Sequence, residues 1–188
     1  FDLLYPSYGD TYPIYNGAIG MTYEQGGGGR AGLGIITGNG DTLTLKDRID
    51  HHFTTGISTV EVSSQNAAKL NEEFKKFYKN QNFKYKSYVL KGNEDKLKSL
   101  KSLLEKHQIQ YGDLTSGSYK GHEYATGKSG SMSVNGNGMV VSTNQPKGTL
   151  VTVLFEPNAK LSDSLTYDIT AWSLPYAYGL EAIASPTL

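Results

Sequence analysis

Residues 85–114 read YKSYVLKGNEDKLKSLKSLLEKHQIQYGDL, and they set the fold class. Residues 85–90 are aromatic and β-forming, as in a strand. Gly92-Asn93 supplies a turn and a helix cap. Residues 94–107 follow as a helix, with Glu94 and Asp95 in the first turn and Lys101 and Lys106 late, a distribution that suits the helix dipole. Residues 109–114 read as a second strand. Strand, helix, strand at this spacing is a β-α-β unit, so the two strands are expected to be parallel neighbours joined by a right-handed crossover. The fold class is α/β.

Upstream, residues 19–23 are small, apolar or β-forming and lead into the glycine run 26–29, with a second apolar stretch at 33–37. Gly38-Asn39-Gly40-Asp41 is a strong turn signal. Strand, glycine-rich loop, strand is the expectation. The period then changes: Leu45, Ile49, Phe53, Val60, Ala67, Phe74 and Tyr78 recur at helical spacing, with Thr44 and Asp47 as a cap. One long helix is predicted, interrupted near Ser63-Ser64 and ending before Asn80. Asn80-Gln81-Asn82 is a linker, which divides the chain into domains at 1–80 and 81–188. Residues 121–145, broken by glycines, are hairpin material. An amphipathic segment spans 150–155, and an aromatic run spans 167–178.

The 188 residues are 37% hydrophobic and 19% charged, too apolar for a disordered tail. No run approaches the ~20 apolar residues that a bilayer span needs. Eighteen basic and eighteen acidic residues cancel, which leaves no global field to attract nucleic acid. Residues 41–107 hold 13 bases and 9 acids, an excess that coincides with the helical segments and fits solvated helix faces. Cysteine is absent, which removes disulfides, thiolate metal sites and a cysteine nucleophile. The 22 glycines and 14 tyrosines point to many turns and aromatic, strand-rich surfaces. The chain opens on Phe1 and runs into an interior-looking segment, as expected of a piece cut from a longer protein.

Motifs for chemistry are sparse. His51 and His52 are adjacent on a helix, so their side chains diverge by ~100° and cannot share an ion. His122-Glu123 are neighbours in a hairpin, a weak ligand arrangement, and no HExxH pair exists. Gly27, Gly29 and Gly32 match GxGxxG, but Leu33-Gly34-Ile35-Ile36 continues as a strand where a pyrophosphate site needs a helix N-terminus. Gly127-Lys128-Ser129 ends like a phosphate loop, yet His122 stands where its first glycine belongs. No GxSxG elbow is present. One carboxylate stands out: Glu24 closes an apolar segment just before flexible glycines.

Gly20-Met21-Thr22-Tyr23-Glu24-Gln25, followed by Gly29-Arg30-Ala31-Gly32-Leu33, resembles the end of the catalytic domain of zinc carboxypeptidases of the carboxypeptidase A type. There a late strand delivers the catalytic glutamate, and a G-R-x-G-like turn and a long terminal helix follow. The resemblance covers residues 1–80 and implies a remnant of a carboxypeptidase-type mixed-sheet domain. Glu24 would be the catalytic residue and Arg30 a substrate contact or loop support. Tyr5 would be the substrate-capping tyrosine, with Tyr8 as competitor. Residues 83–188 resemble the class I glutamine amidotransferase-like, flavodoxin-like module that follows some bacterial enzymes of this type. The β-α-β unit, Leu161-Ser162-Asp163-Ser164 and Asp168-Ile169-Thr170-Ala171-Trp172-Ser173-Leu174-Pro175-Tyr176-Ala177-Tyr178-Gly179 carry this second match. Without cysteine that module is expected to be inactive.

The resemblance implies a parent that hydrolyses C-terminal residues from peptides, periplasmic or secreted in bacteria. Its zinc ligands, an HxxE pair and a later His, would lie upstream of this chain, so this chain alone is expected to bind no zinc and to be inactive. The alternative is a non-enzymatic peptide- or glycan-binding or scaffolding module. Neither reading involves nucleic acid.

Overall fold

A computed structural model describes residues 5–24, 29–79, 82–159 and 173–187. In chain order, the first half contains α1 (Thr11–Ile14), β1 (Gly34–Ile36), β2 (Thr42–Thr44), α2 (Leu45–Gln65) and α3 (Ala67–Phe77). The second half contains β3 (Ser87–Lys91), α4 (Glu94–Lys106), β4 (Gly112–Glu123), β5 (Ser129–Ser142), α5 (Gly148–Phe155), α6 (Leu174–Ala177) and β6 (Glu181–Ser185). The class is mixed α/β. Residues 1–20 and 78–188 group into one compact unit, unit 1, and residues 21–77 into another, unit 2.

Unit 1 is a closed four-stranded barrel in the order β3-β5-β4-β6, with β6 bonded back to β3. Every strand pair in it is antiparallel. This corrects the expectation for residues 85–114. β3 and β4 are not neighbours, because β5 pairs with both and lies between them. Each runs opposite to β5, so they keep a common direction, and the arrangement is a split β-α-β. The parallel sheet of a flavodoxin-like module does not form among the described residues.

Alternation along the strands sorts side chains between two cores. Tyr88 and Leu90 join Met139, Val141, Ala182 and Ala184 against the helices. Val89 and Ile183 point the other way, to Met132 and Val134. Helix α4 contributes Leu97, Leu100 and Leu104, one apolar stripe at helical spacing. Its start is fixed by Asn93, whose side chain accepts from the Asp95 amide at 2.8 Å. Closure needs Gly121: a Cβ there would stand 2.2 Å from the Ala184 carbonyl oxygen on β6.

Unit 2 opens with the hairpin β1-β2, whose turn lies at residues 37–41, with Gly40 at φ 88°. A capping box follows. Thr44 accepts from the Asp47 amide, and the Asp47 carboxylate accepts from the Thr44 amide. The predicted long helix is present and breaks at Asn66, two residues past the expected Ser63-Ser64. The expected strand at 19–23 does not form, and Ile19, Met21 and Tyr23 are exposed on irregular backbone. No residue of α2 or α3 is buried.

Candidate functional site

Glu24 lies in unit 2 on irregular, exposed chain. Its position is set by the residue before it. The Tyr23 hydroxyl meets the Thr59 hydroxyl of α2 at 2.7 Å and lies 2.8 Å from the Met21 sulfur. One hydroxyl thus ties the segment to the helix that the capping box starts, and leaves the carboxylate of the next residue in water. Arg30 is also exposed. Its backbone ties it in, since its carbonyl accepts from Arg48 Nη2 at 2.7 Å. Glu24 and Arg30 therefore sit in the same unit, one next to a side chain and the other at a carbonyl bonded to α2.

Tyr5 lies in unit 1, and its ring packs edge-on against Tyr8 with centroids 5.1 Å apart. It lines a cavity of about 510 Å³. Pro6, Leu103, Leu154, Leu174 and Ala177 supply aliphatic wall, and Tyr12, Ser7 and His107 supply the other polar groups. The Tyr12 hydroxyl and His107 Nδ1 are 2.8 Å apart. Burial, then the nearby Lys147 and Lys106 charges, pull the His107 pKa below the ordinary imidazole value, which favours the neutral ring. The sequence placed His107 at the end of a helix and gave it no role. The signal it offered was its place at the C-terminal end of α4, where one face of the helix is already committed to the core.

A second polar group lies on the helix-facing side of the barrel. Ala184 is paired with both Tyr88 and His122, so the three share one face. The Tyr88 ring stacks on Phe155 at 5.5 Å. Burial raises the pKa of Tyr88 and of Tyr124, and the Tyr124 hydroxyl donates to the Phe155 carbonyl. Half-buried Glu156, at the end of α5, has its carboxyl pKa raised by burial. His122 Nε2 is buried with no hydrogen-bond partner. These groups are packed among rings rather than around an opening.

The histidines do not converge. His51 and His52 are both exposed on α2, and His122 and Glu123 are successive residues of β4, on opposite faces. The Glu123 carboxylate instead accepts from Thr126 at 3.0 Å. Among the described residues no group of three or more His, Asp or Glu side chains is placed to hold a metal ion. No described helix is long and apolar enough to cross a membrane. Of the residues carrying the amidotransferase-like resemblance, 161–164 and 168–172 lie outside the described residues, and 174–177 form α6. No family model, no curated protein and no solved structure matches the chain.

Proposed function

We propose that this chain is part of a zinc-dependent carboxypeptidase that removes C-terminal residues from peptides, with unit 2 belonging to the catalytic domain. Residues 83–188 are then an appended accessory module. The observation that supports the reading is the pairing of Glu24 with an unsealed helix. The Tyr23 hydroxyl fixes the glutamate's segment on α2, while α2 itself exposes Ile49, Phe53, Ile57 and Val60. A 21-residue helix with an uncovered apolar stripe fits one wall of a larger domain better than a free-standing binding module.

In this reading Glu24 accepts a proton from the attacking water and returns it to the departing amine. Further along the sequence, the glycines at 29 and 32 are both at positive φ, with open space where a Cβ would stand. The zinc would be held by residues upstream of this chain, where the resemblance puts the ligands. The accessory module carries no cysteine, so thiolate-dependent amide hydrolysis is not open to it.

The test is Glu24→Gln in the full-length protein. The amide is nearly isosteric, so fold and zinc content should be retained, whereas kcat should fall by about 10²–10⁴-fold or more. Substrate KM should move far less, because the carboxylate acts mainly in the transition state. A variant with wild-type kcat, beside an inactive zinc-ligand variant, would make Glu24 a structural acid and remove the assignment.

A further inference from the structure

We propose that the unit 1 cavity is a binding site for a neutral, mainly apolar molecule, an aromatic or branched group that carries one carbonyl-type hydrogen-bond acceptor. The inference does not rest on the role of Glu24, which belongs to the other unit.

Size comes first. A volume of about 510 Å³ is far more than a trapped water needs. It falls within the roughly 300–1,000 Å³ of small-molecule sites. The wall is drawn from the segment before α1 and from α1, α4, α5 and α6, so the cavity is a product of the whole unit's packing rather than a dent between two helices.

Charge comes second. Among the described residues, no Asp, Glu, Lys or Arg lines the cavity. A charged ligand would lose its hydration with no ion partner in return, so charge is selected against. A neutral apolar ligand loses nothing of the kind and gains the burial of its own surface.

Orientation comes third. One nitrogen of the His107 ring is engaged by Tyr12 and the ring is held neutral. With the Tyr12 hydroxyl donating to Nδ1, the proton of the neutral ring sits on Nε2, which becomes a donor. Nε2 has no hydrogen-bond partner among the described residues. A ring donor in a wall that is mostly aliphatic and aromatic, with the Ser7 hydroxyl besides, is what fixes one end of a ligand.

The experiment titrates the full chain with three probes, followed by two-dimensional amide NMR. These are N-acetyl-phenylalaninamide, N-acetyl-lysinamide and ethylbenzene. The neutral aromatic amide should shift resonances of residues 5–7, 103–107 and 174–177 saturably. It should bind at least about tenfold more tightly than the lysine probe, as burial of one ring implies. His107→Phe keeps the wall and removes the donor. It should weaken the aromatic amide by about three- to tenfold and leave ethylbenzene unchanged. Ala177→Trp, at an exposed position of α6, should fill the mouth and abolish binding of both aromatic probes while the barrel resonances stay in place. The proposal is overturned by the absence of saturable binding, by equal affinity for the lysine probe, or by binding that survives Ala177→Trp.

Discussion

Units 1 and 2 place similar apolar sequences in opposite circumstances. In unit 1, Leu97, Leu100 and Leu104 repeat along α4 and are buried against the barrel. In unit 2, Ile49, Phe53 and Val60 repeat along α2 at 58%, 68% and 68% exposure. Periodicity marks both stripes equally well. What differs is whether the chain supplies the opposing surface. Unit 1 does so through β3, β5 and β6, and its stripe becomes a core. The described residues bury none of the stripe on α2. An apolar helix face without a cover points to a structural partner, and in the function we propose that partner is the remainder of a catalytic domain.

The comparison is sharpened by substitutions on the two stripes and between them. Leu100→Ala, at a fully buried position, should cost about 2–5 kcal/mol of unfolding free energy in denaturant melts. A smaller effect is expected from Glu156→Gln. Its folded pKa is raised by burial, so the folded state retains a proton that the unfolded chain has already released. Stability should therefore fall as pH rises from the ordinary carboxylate range through that raised value. The glutamine variant should lose this slope and be more stable than the parent at neutral pH, as melts from pH 4 to 8 would show. Phe53→Ser should have the least effect, within about 0.5 kcal/mol, because the ring is already in water. In the full-length protein the same change should cost several kcal/mol, about the ~3–5 expected of a buried Phe truncation. A large cost in the present chain would break the comparison.

Local chemistry was legible in the sequence, and pairing was not. Thr44 and Asp47 announced the start of α2, and Gly92-Asn93 the start of α4, because caps are written within four residues. The partner of β3 was hidden for the opposite reason. Strand, helix and strand look the same whether the two strands touch or leave a gap. The strand that fills the gap, β5, comes only after β4. Residues 19–23 carried strand-forming side chains, but their backbone stays irregular and the strand is absent. Glu24 and Arg30 were singled out by a resemblance alone, and the structure bonds Tyr23 beside the one and the backbone carbonyl of the other to α2. The cavity had no sequence signature. Tyr12, Leu103, His107, Leu154 and Leu174 come from four helices, and only the packed unit brings them together.

Hydrogen exchange resolved by residue measures the central contrast most directly. Amides of Tyr88, Val89, Val140 and Val141, in the paired centre of the barrel, should exchange only with global unfolding of unit 1. Amides of α2 and α3 should exchange orders of magnitude faster, through local opening of helices with no buried side chain. Equal, strong protection in α2 and in the barrel would contradict the account, because it would show that unit 2 is already stabilised without the larger domain to which we assign it.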